Sequence, residues 1–276
     1  MSRACFLAML LTVCTGARAA IIQFGDFSNT NGLHLNGDAV SVSTAQGWVL
    51  RLTPSDPWMK SGSAFWQSPV DVTAFNSFFT FSITTPKIGP TDADGQQGAD
   101  GFAFVVQSAL DAPAGLGAVG DGLGYKGIQP SAAVEFDIWR NVTDAPNHDP
   151  SSNHLGILVN GVVDHGAGSP WTADVPSPLD DADLWYAWLD YDGTTLQVRV
   201  NQTGLYPAQA NLSRPLDLPS ILGQSTAYVG FTAATGSGLA EQRIVSWTYV
   251  PEPATLTMLL FFMAAMRHVR NRPRPA

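Results

Sequence analysis

Cysteine is almost missing from this chain. Its two cysteines, Cys5 and Cys14, both fall within the first 19 residues, so a chain trimmed there has neither disulfides nor thiolate chemistry. Charge is also sparse, at 13% of residues. No stretch between the two ends holds a helical hydrophobic period for about 11 residues, which argues against a helical fold. No apolar run reaches the ~20 residues of a membrane-spanning helix. Basic residues are few, and six of the 14 sit at the ends: Arg3, Arg18, Arg267, Arg270, Arg272 and Arg274. Setting these and Glu252 aside leaves 8 basic against 22 acidic residues, a body charge near −14. A body this acidic disfavours nucleic acid and anionic membrane as partners and favours solubility and metal cations.

Turn formers are plentiful: 26 Gly and 19 Pro. Between them lie short strand-like runs: 78–84, 101–106, 155–159, 195–200 and 228–232. Asp192-Gly193 and Asn160-Gly161, each flanked by alternating apolar residues, predict hairpins. Many short strands with regular turns indicate an all-β fold, a sandwich or jelly roll of antiparallel sheets, and residues 20–249 suffice for one such domain.

The two ends read as addresses. Residues 1–19 combine Arg3, the apolar run Ala4–Val13 and a small-x-small close at Ala17-Arg18-Ala19, which is the pattern of a secretory signal peptide. Residues 250–276 carry Pro251-Glu252-Pro253, the short apolar run Ala254–Met266 and an Arg-rich tail. This segment resembles the PEP-CTERM sorting signal of Gram-negative bacteria. The resemblance implies export, cleavage by an exosortase-type membrane protease, and delivery to the envelope, cell surface or extracellular matrix. A permanent single-pass anchor is the other reading of the same segment, and in either case membrane contact is confined to it.

The most informative stretch is Glu135-Phe136-Asp137-Ile138-Trp139-Arg140-Asn141, followed by Asp149 and His154. In a strand, alternate residues share a face, so Glu135, Asp137, Trp139 and Asn141 point one way while Phe136 and Ile138 face the core. Two carboxylates on one face repel each other without a cation. Carboxylate and amide oxygens suit Ca²⁺, and an added imidazole suits a transition metal. From spacing alone, a two-metal site and a polar outer face with incidental charge stand about level.

The run also resembles the metal signature of the legume lectins, Glu-x-Asp-x-aromatic-x-Asn, then Asp-Pro, then His-x-Gly-Ile. Here these are Glu135, Asp137, Trp139, Asn141, Asp149-Pro150 and His154-Leu155-Gly156-Ile157. The resemblance covers roughly residues 24–249. It implies a concanavalin-like jelly-roll sandwich that binds glycans without catalysis. It implies that Glu135, Asp137, Asp149 and His154 hold a transition metal, with Mn²⁺ expected, and that Asp137, the Trp139 carbonyl, Asn141 and Asp149 hold Ca²⁺. Gly98-Ala99-Asp100-Gly101 resembles the family's Ala-Asp-Gly loop, whose peptide is cis and whose Asp accepts sugar hydroxyls. Gly120-Asp121-Gly122 resembles the Gly-rich loop whose backbone meets the sugar, and Ser237-Gly238 falls in the loop that sets sugar preference. The implied sugar contacts are therefore Asp100, Asn141, Trp139 as stacking face, Gly120, Asp121, Gly122, Ser237 and Gly238. The implied partners are glycans or exopolysaccharide, with a homo-oligomer as one way to present several sites.

The chain departs from the pattern in places. The gap from Asn141 to Asp149 is about twice the usual spacing, an insertion within 142–148 that brings His148 in as a competing ligand beside His154. Asp121 stands where the family usually has a glycine. Two rivals remain in view. Glu135-x-Asp137 also opens the Glu-x-Asp-x-x-Glu signature of laminarinase-like glycoside hydrolases, but the third position is Arg140. A structural matrix protein without sugar binding is the other.

Overall fold

The computed structural model describes residues 21–142 and 147–252. The signal peptide expected at 1–19 and the sorting signal expected beyond Glu252 lie outside the described residues. Among the described residues no helix is long and apolar enough to cross a membrane.

Two eight-stranded antiparallel sheets pack face to face. One runs, in spatial order, Leu212–Pro215, Thr195–Asn201, Trp185–Tyr191, Phe75–Thr84, Glu241–Pro251, Gly47–Thr53 and Val40–Thr44, with Ile22–Phe24 also paired to Glu241–Pro251. The other runs Thr172–Asp174, His154–Val159, Ser131–Asp137, Gly101–Gln107, Thr226–Ala234, Ser61–Trp66 and Leu33–Gly37, with Val70–Asp71 also paired to Thr226–Ala234. This second sheet carries the site.

Period-two patterning builds the core. Phe79 and Phe81 from the first sheet meet Phe102, Phe104, Phe136 and Phe231 from the second, all essentially inaccessible to solvent. Phe136 stacks flat on Phe102, with centroids 4.6 Å apart, and stands edge-on to Phe79 and Phe81 at 5.6 and 5.1 Å. Offset-stacked and T-shaped pairs each add about 0.5–1.5 kcal/mol beyond the area they bury.

The sheets differ on their outer faces. Trp185–Tyr191 alternates between buried and half-buried residues. Ser131–Asp137 is buried at every position. Loops cover its outer face, where Tyr125, Ile128 and Val163 pack on Ala103, Val105 and Ala133.

The predicted Asp192-Gly193 hairpin is present: it joins Trp185–Tyr191 to Thr195–Asn201, and Asp192 Oδ1 accepts from the Thr194 and Thr195 amides. Asn160-Gly161 behaves differently. Both residues have positive φ (54° and 66°) and the Val162 amide closes the turn onto the Val159 carbonyl. No hairpin follows. Gly161 donates to the Tyr125 hydroxyl at 3.0 Å, and its carbonyl accepts from Gly127 at 3.0 Å. The turn is thus pulled onto the 125–128 loop, and the chain crosses the outer face before Thr172–Asp174 pairs with His154–Val159.

Candidate functional site

Register places the acidic–histidine cluster. Glu135 lies opposite Gly156 and Ala103, and Asp137 opposite His154 and Gly101. Glu135 and Asp137 point away from the phenylalanine core yet are only 1% and 3% exposed. Gly156 makes this possible: a Cβ there would stand 2.2 Å from Glu135 Oε1 and 2.7 Å from His165 Cε1.

Glu135, His154 and His165 form a group able to hold a metal ion. His154 Nε2 is 3.3 Å from Glu135 Oε1 and 4.0 Å from Asp149 Oδ1. The His154 Nδ1 atom faces the Ser151 carbonyl at 2.9 Å, an arrangement that leaves Nε2 bare toward the carboxylates. Sequence reasoning missed His165. It lies in no ligand spacing and reaches the site only because the Asn160-Gly161 turn fails to continue into a strand. His148, a rival ligand by sequence, sits outside the cluster and pairs with Asp164 at 2.6 Å.

The electrostatics are unbalanced. Burial, then the charges of Asp149 and Glu135, push Asp137 well above the usual carboxylate range. Burial lifts Asp149 to about 6, against the pull of His154. Burial would raise Glu135 too, but His154 and His165 outweigh it and hold its carboxyl at about 2. Burial opposes protonation of His165, yet Glu135 outweighs it and raises the imidazole. Several buried acids in contact are costly unless a cation or protons neutralise them.

Strand alternation ends at Asp137, earlier than the sequence suggests. Trp139 and Asn141 lie beyond the strand, in a bend held by the acids themselves. The Trp139 amide donates to Asp137 Oδ1 at 2.7 Å, and the Asn141 amide to Asp149 Oδ2 at 2.6 Å. Asn141 Oδ1 is buried with no hydrogen-bond partner among the described residues. Arg140 turns outward to Asp94 at 2.7 Å, and Asp94 in turn accepts from Ser152.

Above the cluster lies a cavity of about 540 Å³. Asp100, Gly120, Asp121, Trp139, Asn141, Ser237 and Gly238 line it, seven of the eight sugar contacts implied by sequence. Gly122 does not; it is buried in a single 3₁₀ turn, its amide bonded to the Val119 carbonyl. The Gly120 amide is likewise engaged, with the Thr235 carbonyl at 3.3 Å. Asp121 faces Lys126 at 2.9 Å.

Asp100 occupies the floor of this cavity. Its peptide bond with Ala99 is cis. The Ala99 carbonyl accepts from the buried Gln242 amide at 3.3 Å, and the Asp100 amide donates to Ala234 at 3.0 Å. Asp100 Oδ2 has no hydrogen-bond partner among the described residues. Burial pushes this carboxyl up to about 8 against the Gly236 amide, with Asp121 and Asp149 adding to the rise. Gly238 packs tightly here: a Cβ would stand 2.6 Å from the Ala99 methyl and 3.2 Å from the Trp139 ring.

Known proteins resemble this chain in sequence and fold. The family model described as "Legume lectin domain" matches residues 21–256. The basic agglutinin of Psophocarpus tetragonolobus is 31% identical over 253 residues, covering 82% of this chain and 93% of the agglutinin. The L-type lectin-domain containing receptor kinase VIII.1 of Arabidopsis thaliana is also 31% identical, over 88% of this chain but only 33% of the kinase. The chain therefore spans about a third of that receptor's length. Among solved structures, the basic winged bean lectin with Tn-antigen superposes with a TM-score of 0.66 at 27% identity, covering 84% of this chain and 98% of that one. The Bauhinia forficata lectin in complex with GalNAc gives 0.65 at 26%, covering 84% and 97%. On its sequence match, its sheet order and its site, this chain belongs to the legume lectin domain family.

Proposed function

We propose that this protein is a metal-dependent, non-catalytic glycan-binding lectin that is exported and acts at the cell surface or in an extracellular matrix. The observation that carries the reading is the coincidence of seven predicted contacts around one cavity whose floor presents a buried, unpartnered Asp100 oxygen. A sugar hydroxyl supplies the missing donor, and Trp139 offers its ring to the apolar face of the sugar. The cavity lies within the ~300–1,000 Å³ range of small-ligand sites.

The residues present fit the two metal positions. Glu135 Oε1 and Asn141 Oδ1 are buried acceptors with no hydrogen-bond partner among the described residues, and cations satisfy both. Glu135, Asp137, Asp149 and His154 would hold the transition metal, for which Mn²⁺ is the family expectation. Asp137, the Trp139 carbonyl, Asn141 and Asp149 would hold Ca²⁺. The ions supply positive charge that keeps the buried acids ionised. Asn141 and Trp139, tied to Asp149 and Asp137 through their amides, are thereby fixed beside Asp100. The relatives' GalNAc and Tn-antigen complexes favour a hexose-type ligand. Monosaccharide affinity in an open cavity of this kind is on the order of millimolar, about −4 kcal/mol, so adhesion draws on several copies, as in a homo-oligomer or a surface array.

Hydrolysis is disfavoured because Arg140, at the third acidic position of the hydrolase signature, is engaged with Asp94. Export through the 1–19 signal and exosortase-type cleavage near Pro251-Glu252-Pro253 complete the proposal. The mass of the mature protein tests them.

A glycan array with and without EDTA tests binding. Retention that EDTA abolishes, and that Asp100→Ala abolishes without loss of fold or bound calcium, is the expected result. A blank array with metals present, or no calcium on the purified domain by equilibrium dialysis, refutes it.

A further inference from the structure

We propose that His165 is a direct ligand of the transition-metal position, giving it two imidazoles, and that this position selects Zn²⁺, Co²⁺ or Ni²⁺ over Mn²⁺. The inference rests on the metal-binding reading above and changes its chemistry.

Three ligand atoms, from Glu135, His154 and His165, converge on one point, and Asp149 Oδ1 lies at the margin of the group. His165 Nε2 is 2.7 Å from Glu135 Oε1, 3.4 Å from His154 Nε2 and 3.7 Å from Asp149 Oδ1. His154 Nε2 is 3.3 Å from the same Glu135 oxygen. Ligands held about 2.0–2.2 Å from a tetrahedral ion stand roughly 3.3–3.6 Å apart, so the set needs only small adjustments. Glu135 Oε1 is buried 2.7 Å from one imidazole nitrogen and 3.3 Å from the other, so without a metal only protonated histidines can balance its charge. A metal cation seated between the two Nε2 atoms and the carboxylate oxygen satisfies all three acceptors at once. Both imidazoles are buried, and Gly156 leaves the space that His165 and Glu135 fill.

The loop that delivers His165 is built for the purpose. Its amide donates to the Asn147 carbonyl at 2.9 Å. The preceding Asp164 accepts from the Gly166 amide at 2.8 Å and pairs with His148 at 2.6 Å. Asn147 and His148 belong to the insertion between Asn141 and Asp149. The extra histidine is thus tied to the described end of the longer metal loop, where Asn147 and His148 hold the segment that carries it.

Imidazole suits Zn²⁺, Ni²⁺ and Cu²⁺, whereas Mn²⁺ prefers carboxylate and water, and affinity at nitrogen-bearing sites rises from Mn²⁺ towards Zn²⁺. A second imidazole steepens that order. The test uses the protein stripped with EDTA and loaded with one equivalent of Cu²⁺, whose electron paramagnetic resonance counts coordinated nitrogens. Two are expected in the wild type and one in His165→Gln or His154→Gln. In competition titrations, His165→Gln should lose more Zn²⁺ affinity than the roughly ten- to hundredfold that loss of an outer-shell partner costs, and much less Mn²⁺ affinity. A single nitrogen in the wild type, or an unchanged Zn²⁺/Mn²⁺ ratio in the variant, overturns the inference and leaves the lectin reading intact. If His165→Gln fails to fold, the wild-type nitrogen count decides alone. A wild type that takes up no transition metal overturns both the inference and the metal dependence of the proposed function.

Discussion

The strand Ser131–Asp137 has two faces that are buried alike and held by different means. Inward, Val134 and Phe136 meet other apolar side chains, and each contact is complete within the protein. Outward, Glu135 and Asp137 are nearly as inaccessible, but their neighbours are Asp149, His154 and His165. The inner face is stable by itself. The outer face stores like-charge repulsion that only protons or cations relieve. Burial therefore does not measure stabilisation; what the buried group meets decides its sign.

The largest effect belongs to the inner face. Phe136→Ala should cost about 3–5 kcal/mol, since a fully packed ring leaves a cavity behind. The loss should be equal in EDTA and in metal, by denaturant or thermal unfolding. An unequal loss would show that the two faces are coupled and break the comparison. Asp137→Asn probes the other face and should change sign with conditions. With metals, the variant should lose the ligand-linked stabilisation, about 2.7 kcal/mol at a metal concentration a hundred times Kd, together with glycan retention. In EDTA at pH 8 it should match or exceed the wild type, because a repelling buried acid is gone. A variant less stable than wild type in EDTA contradicts the repulsion argument.

The same repulsion predicts an unusual pH dependence. Asp149 titrates at about 6 and Asp100 at about 8, against 3.8 when unfolded, and Asp137 is raised as well. In the metal-free protein the folded state keeps protons that the unfolded chain has lost, so stability falls as pH rises from about 4 to 8. The raised His165 acts in the same direction, its contribution being lost as pH climbs past the ordinary 6.5. Glu135, held at about 2, opposes this only in acid: its contribution is complete above 4.5 and lost below. The melting temperature in EDTA should decline between pH 5 and 8, while Ca²⁺ with a transition metal flattens the profile. A metal-free melting temperature that rises over this range would sink the account.

Much of this was legible in the sequence because it is local. Strand alternation placed Phe136 inward and Glu135 and Asp137 outward, and the Asp192-Gly193 turn chemistry gave its hairpin. The legume-lectin signature named Trp139 and Asn141, and both line the cavity, although alternation stops at Asp137 and a bend carries them the rest of the way. His165 was not legible. It depends on Gly161 docking against Tyr125 and Gly127, a contact between segments 34 or more residues apart, which diverts a turn whose own residues favour a hairpin. Gly156 was the available signal: a side-chain-free position opposite Glu135 implies that something large fills the space.

The smallest effect separates the cavity from the cluster beneath it. Asp121 lines the cavity where the family usually has glycine, yet it is paired with Lys126 and part-exposed. A pair of this kind contributes about 0–1 kcal/mol, so Asp121→Gly should leave thermal stability nearly unchanged. Its charge nevertheless contributes to the raised Asp100 carboxyl. A sugar hydroxyl donates to the ionised form of Asp100, the form that bound cations favour. Removing Asp121 favours that form further, so glycan retention in the presence of metals should change no more than about fivefold, roughly 1 kcal/mol. A larger loss of retention would instead make Asp121 a direct sugar contact, and the glycine of the relatives would then be no guide to this site.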